Sequence, residues 1–123
     1  MNLRLSLKTK WFEMTKAGIK TEDYREITPY WAKRLVGVWK WEGSNKGLFP
    51  DLKNSFMSDV LIVSFKTFKL NKMTLGYPKS TDADRIIQFE HAGIEIRTGN
   101  PEWGAEPGKL YFVIKHGKII KQK

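Results

Sequence analysis

Leu3, Leu5 and Leu7 alternate with Arg4, Ser6 and Lys8, and this period of two predicts a half-buried strand at the start of the chain. The spacing then changes. Trp11, Met14, Thr15 and Gly18 recur every three or four residues, which predicts a helix over Lys10 to Ala17 with Lys10, Glu13 and Lys16 facing outward. Thr9 is its expected N-cap. Gly18 ends it, because a residue without Cβ takes the left-handed conformation just past a helix, and Lys16 puts a cation where the helix dipole favours one. Ile19 to Ile27 alternates again as a second strand, with Lys20, Glu22, Tyr24 and Glu26 on one face and Thr21, Asp23, Arg25 and Ile27 on the other. Thr28-Pro29 then opens a second helix: Thr28 caps, and Pro29 takes the first position, where its missing N–H costs nothing. Trp31 and Leu35, with Tyr30 beside them, anchor that helix, and Gly37 is placed to end it.

From Val38 to Asp59 neither period is sustained. Gly43-Ser44-Asn45-Lys46-Gly47 and Phe49-Pro50-Asp51 predict a long loop, with a helical turn around Leu52 to Phe56. Trp39, Trp41 and Phe49 would plug the barrel end or stack on a ligand. Val60 to Phe65 is a continuous apolar run that reads as a strand buried on both faces and continuing through Phe68 and Leu70. Asn71 to Asp84 reads as turn and loop. Two strands follow, Ile86 to His91 and Ile94 to Arg97, joined near Ala92-Gly93. Leu110, Phe112 and Ile114 share one face of the next strand, and His116-Gly117 turns into a last short strand at Lys118 to Ile120. Short strands, two early helices and no βαβ rhythm predict an α+β, mainly β fold: a small mixed β-barrel, with an open antiparallel sheet as the alternative.

Composition narrows the function classes. A chain of 123 residues is expected to form a single domain over 1–123. The longest apolar runs fall short of a membrane span, and the first residues enter a strand pattern in place of a leader, so a cytoplasmic location is expected. There is no cysteine, which removes disulfides, thiol nucleophiles and thiolate-bound zinc. With His91 and His116 as the only histidines, no metal site and no cofactor is expected. Twenty-two Lys and Arg against thirteen Asp and Glu leave a formal charge of +9, which points to polyanionic partners. Lys118, Lys121 and Lys123 are read as solubilising charge. Five Trp, four Tyr and seven Phe supply the aromatic faces that base stacking needs beside cations.

The densest chemistry lies in Gly18-Ile19-Lys20-Thr21-Glu22-Asp23-Tyr24-Arg25, followed by Glu26 and by Pro29-Tyr30-Trp31. The order Gly-x-Lys-x-x-x-x-Arg after a strand and an aromatic helix resembles the signature of the ASCH domain, a PUA-like β-barrel family with small stand-alone members of bacterial and phage type. A second block, Pro101-Glu102-Trp103-Gly104-Ala105 followed by Tyr111-Phe112-Val113-Ile114, extends the resemblance over most of the chain. The family's Asn-Gly-Tyr block is here Leu75-Gly76-Tyr77. The resemblance implies RNA or nucleotide binding at a basic cleft, with Lys20, Arg25, Tyr24, Tyr30 and Trp31 as contacts. Gly18, Arg25 and Trp103 would then be structural members of the motif. Because Lys20 and Arg25 are five apart, a bulge would have to reset the phase for both to face one cavity.

Some small ASCH proteins are amidohydrolases acting on N4-acetylcytidine through a Lys, a Thr or Ser three residues later and a distant Glu. Lys20 matches the Lys, whereas Asp23 stands at the hydroxyl position. A carboxylate cannot be the hydroxyl nucleophile of such a scheme but can act as a general base. Glu90, Glu102 and Glu106 are the candidates for the distant acid. The expected function is therefore RNA or nucleotide binding. Hydrolysis of a modified nucleoside is the first alternative, and a protein-interaction adaptor with a basic face is the second. Lys20 is read either as a desolvated amine with a lowered pKa or as a structural partner of Glu22 or Glu26. Arg25 would bridge backbone carbonyls or Asp23, Trp103 would close the barrel floor or a cleft edge, and His91 is read as a satisfied polar residue.

Overall fold

The computed structural model describes residues 1–41, 60–76 and 82–120. The chain is α+β and mainly β, with a curled, half-closed barrel sheet and two short helices. In chain order the elements are β1 (Asn2–Leu7), α1 (Thr9–Lys16), β2 (Glu22–Arg25), α2 (Pro29–Leu35), β3 (Val36–Trp41), β4 (Val60–Phe65), β5 (Leu70–Leu75), β6 (Ile86–Thr98) and β7 (Leu110–Ile120). Single 3-10 turns lie at Ala83–Arg85 and Pro101–Trp103. Five strands form one sheet in the order β1-β5-β6-β7-β2, and β3 pairs with β4 in a second, two-stranded sheet. Only β1 and β5 run parallel in the larger sheet. No helix among the described residues is long and apolar enough to cross a membrane.

The local rules explain the N-terminal half. Leu3, Leu5 and Leu7 are buried while the residues between them are exposed. α1 closes on Gly18 at φ +77, with Ile19 N–H donating to the Met14 carbonyl and Gly18 N–H to that of Thr15. Those two bonds are the paired 6→1 and 5→2 closure that satisfies the last helical carbonyls. Thr9 is the first residue of α1, not its cap; Lys8 stands at that position and makes no side-chain cap bond. The buried face of α1 is set by Phe12 and Thr15, with Trp11 and Met14 half-buried, so the apolar stripe is rotated toward Phe12. Thr28 caps α2 through Oγ1, which accepts from Trp31 N–H at 3.3 Å, and Pro29 follows at the first helical position. Leu35 is fully buried, and the chain leaves α2 there, so Gly37 lies inside β3 instead of ending the helix.

Elsewhere pairing overrides local pattern. Val38 to Trp41 belong to β3, whereas the loop and helical turn expected over the rest of 38–59, together with Phe49, lie outside the described residues. The apolar run stops at Phe65, and Phe68 sits in the link to β5. Asn71 to Leu75, expected as loop, is strand: Asn71 and Met73 are fully buried between β1 and β6. β6 is one bent strand of 13 residues, not two. Its register against β7 shifts between Phe89 and His91 and again between His91 and Gly93, so Ala92-Gly93 absorbs a bulge instead of a hairpin. β7 likewise runs through His116-Gly117 without a turn. Leu3, Leu5, Leu7, Phe12, Leu35, Met73, Phe89, Phe112 and Ile114 form the main core, and Tyr24 packs on a smaller cluster of Ala105, Tyr111 and Val113.

Candidate functional site

β1 and β2 are the two edges of the curled sheet and do not pair with each other. A cleft of about 240 Å³ opens at the seam between them. Ser6, Leu7 and Lys8 line it from the end of β1, and Lys20, Asp23, Tyr24 and Arg25 line it from β2 and its approach. Trp11, Trp103, Gly104 and Tyr111 complete the wall. Arg25 Nη2 crosses the seam to the Ser6 carbonyl at 3.1 Å. The Arg25 guanidinium also lies over the Trp31 ring at 5.1 Å, while its buried Nε has no hydrogen-bond partner. Burial lowers the Arg25 pKa and the Asp23 charge opposes that shift.

Lys20 precedes β2, and β2 pairs with β7 in unbroken register. No bulge is therefore needed to bring Lys20 and Arg25 into one cleft: Lys20 lies two residues before the strand, where the alternation of β2 does not bind its direction. Its side chain is buried, and its ammonium donates to the Glu22 carbonyl at 2.6 Å and pairs with Asp23 Oδ1. The pairing expected with the carboxylate of Glu22 or Glu26 is thus made by Asp23 instead, and Glu22 contributes only its carbonyl. Burial lowers the Lys20 pKa from its ordinary value, the Asp23 charge pulls it back up, and the Arg25 cation adds to the lowering. For Asp23, burial alone would raise the pKa. The hydrogen bond from His116 and the Lys20 charge outweigh burial and hold the carboxyl below its usual range.

Behind this pair lies a polar chain. Asp23 Oδ2 is 2.6 Å from His116 Nε2, His116 Nδ1 is 2.9 Å from Asn71 Nδ2, and Asn71 Oδ1 is 2.7 Å from His91 Nδ1. On the other face of β2, the Tyr24 hydroxyl donates to Glu22 Oε1 at 2.6 Å and accepts from Asn100 N–H at 2.8 Å. Glu22 Oε2 pairs with Arg97, which also holds Glu95 at 2.5 Å. Burial, with the bond to Glu22 second, pushes the Tyr24 pKa up to about 12. These contacts fix the Tyr24 ring as one wall of the cleft, where it meets Tyr111 with ring centroids 5.7 Å apart.

Of the residues expected from sequence, Lys20, Asp23, Tyr24, Arg25 and Trp103 converge on the cleft. Tyr30 and Trp31 do not line it: Tyr30 is 58 % exposed with Arg34 over its ring, and Trp31 reaches the site only through Arg25. Glu90, Glu102 and Glu106 are exposed and do not line the cleft. His91 meets Asn71, in keeping with its reading as a satisfied polar residue. Trp11, Tyr111, Asn71 and His116 belong to the site or its polar backing without any expectation from sequence. The signal for His116 was the period of Phe112, Ile114 and His116 on one strand face, which a turn at His116-Gly117 would have interrupted. Asn71 shares the same kind of period with Met73 and Leu75. Among the described residues no group of three or more His, Asp or Glu side chains is placed to hold a metal ion. Comparison of the chain with models of protein families, with curated proteins and with solved structures returns no match.

Proposed function

We propose that this protein binds single-stranded RNA or a nucleotide derived from it at the seam cleft, in the manner that its resemblance to ASCH domains implies. The observation that carries the reading is the composition of one small space. Trp11, Tyr24, Trp103 and Tyr111 line the same cleft as Lys8, Lys20 and Arg25, in a chain of formal charge +9. A planar base stacks on such rings, and a phosphate is drawn to the cations at the rim. About 240 Å³ is below the roughly 300–1,000 Å³ of drug-sized pockets, which suits one base with its sugar, leaves the phosphate at the rim and is too small for a duplex. Lys20 offers at most its third N–H to a ligand, since the other two are engaged by Asp23 and the Glu22 carbonyl. This reading places the protein with RNA in the cytoplasm.

Tryptophan fluorescence titration with a single-stranded RNA oligonucleotide and with nucleoside monophosphates tests it. Affinity is expected to fall as salt rises, because Lys and Arg release counterions from the strand. Stacking is worth about 1–3 kcal/mol per base, so Trp11→Ala should weaken binding roughly 5- to 150-fold, whereas Lys118→Ala on the exposed end of β7 should change it less than about 2-fold. A flat salt response, or equal losses in the two variants, would reject a specific site.

Hydrolysis of a modified nucleoside such as N4-acetylcytidine is supported by one observation: a desolvated Lys20 beside Asp23 at the wall of a cleft of nucleoside size. Asp23 would serve as general base toward water, and no hydroxyl nucleophile stands at its position. Incubation with the acetylated nucleoside and assay for cytidine and acetate decides between the readings. We expect no release from the parent protein, because the Asp23 charge opposes deprotonation of Lys20 and no hydroxyl nucleophile stands beside it; a gain in Asp23→Thr would identify a cleft that kept its shape and lost its chemistry.

A further inference from the structure

The polar chain behind Asp23 occupies a place where the fold calls for hydrocarbon. Phe112 and Ile114 point into the barrel and are fully buried, and His116 continues that face of β7 with its side chain 2 % exposed. Asn71, fully buried, stands on β5 one step from Met73. Apolar residues of similar volume would fill these positions at less cost than groups that must be stripped of water. The two register shifts of β6 against β7 fall at this point, around the facing pair His91 and His116. Bulges re-aim side chains, and they cluster beside functional sites.

The donors and acceptors close in one arrangement. The Lys115 carbonyl can only accept, so Asn71 Nδ2 must be the atom 3.0 Å from it, and this fixes the amide. The second N–H of Nδ2 meets His116 Nδ1, which must therefore be the unprotonated nitrogen. His116 then carries its proton on Nε2 and donates to Asp23 Oδ2. Asn71 Oδ1 accepts from His91, which carries its proton on Nδ1. Asp23 is left with Oδ1 for Lys20. Turning the amide over would set its oxygen against the Lys115 carbonyl, so the order of the chain is determined from the barrel interior outward.

We infer that His116, oriented by Asn71 and His91, is a positioning residue of the cleft, donating from Nε2 to Asp23 and so fixing the carboxylate that holds Lys20 at the cleft wall. The inference rests on the reading of that cleft as the nucleotide site. Freed from His116, Asp23 would have an unoccupied oxygen inside the barrel and could rotate off Lys20, and the donor that Lys20 offers to a ligand would lose its direction.

With two histidines in the chain, the ring nitrogens are readily assigned by long-range proton–nitrogen NMR of the 15N-labelled protein, using His91→Gln to separate the pair. The expected pattern is the Nε2–H tautomer for His116 and the Nδ1–H tautomer for His91; a proton on His116 Nδ1, or an averaged, exchanging His116 ring, overturns the proposal. Affinity for the same single-stranded RNA oligonucleotide gives the functional arm. His116→Gln keeps an N–H donor where Nε2 stood and is expected to bind within about 3-fold of the parent, whereas His116→Asn keeps only the Asn71 side and is expected to lose at least about 10-fold. Parent-like binding by His116→Asn overturns the positioning role, and so do equal losses in both variants. If His116→Asn does not fold, Asn71→Leu, which removes the donor that orients His116 Nδ1, takes its place in the binding arm, and parent-like binding there overturns the positioning role. A parent that binds no RNA or nucleotide defeats the reading of the cleft, and the positioning role with it, while the tautomers show separately whether the hydrogen-bonded chain exists.

Discussion

Asp23→Asn should be the most damaging isosteric change in this protein. The parent carboxylate serves two donors at once, Lys20 at Oδ1 and His116 at Oδ2, and its side chain is 4 % exposed. An amide has one oxygen for those two donors and turns its own N–H groups toward one of them. It also leaves the ammonium of Lys20, whose side chain is 2 % exposed, without a counter-charge. Removing one partner of a buried ion pair costs about 3–5 kcal/mol. For a chain of this length, about 3–5 °C per kcal/mol gives a melting temperature lower by roughly 9–25 °C. Thermal and urea unfolding followed by tryptophan fluorescence measures the loss. The pH dependence supplies a second check. Because the folded pKa of Asp23 is depressed, its contribution is present above the unfolded value of about 3.9 and is lost as pH falls through the folded value. The gap between parent and variant should therefore be full near pH 7, begin to narrow below about pH 4 and close below the folded pKa of Asp23. The double variant Lys20→Met/Asp23→Asn should lose less than the sum of its single changes, since no buried cation remains. A loss under about 1 kcal/mol at pH 7, or a gap that persists unchanged in acid, would refute the ion-pair argument.

Tyr24→Phe removes the hydroxyl that bonds both Glu22 and Asn100 and should cost about 1–3 kcal/mol at neutral pH, read by urea unfolding. Since the Tyr24 pKa is raised to about 12, the parent's advantage is full below about pH 10 and lost as pH rises toward 12; a phenol titrating near 12 should vanish from the ultraviolet pH titration of the variant. Gly99→Ala would place a Cβ 2.7 Å from both Ala105 Cβ and the Tyr24 ring, so it should destabilise by about 1–3 kcal/mol and weaken RNA binding by displacing a cleft wall; parent-like melting and binding would contradict that geometry. Arg25→Lys keeps the charge but loses the planar group that reaches Ser6 and lies over Trp31, and a loss of about 1–2 kcal/mol is expected in the same unfolding assay.

Local rules determined the N-terminal third of this chain. The alternation of Leu3, Leu5 and Leu7, the closure of α1 on Gly18 and the Thr28-Pro29 start of α2 depend on neighbours within six residues, so they can be read without knowing the fold. Sequence also marked Lys20, Asp23 and Arg25 as the densest chemistry, and these three do line one cleft. Tertiary structure decided everything that rests on partners distant in sequence. Asn71 to Leu75 looks like loop because Asn, Lys and Thr are poor strand signals alone, yet flanking strands on both sides hold it in the sheet. His116-Gly117 looks like a turn because nothing local shows that β6 continues beside it with compensating bulges. The seam exists only because β1 and β2, the first strands of the chain, become the outer edges of a curled sheet, which no pattern within either strand encodes. Asp23 and His116 lie 93 residues apart, and pairing of β2 with β7 brings their side chains into contact. Charge and periodicity named one half of the site; strand order supplied the other.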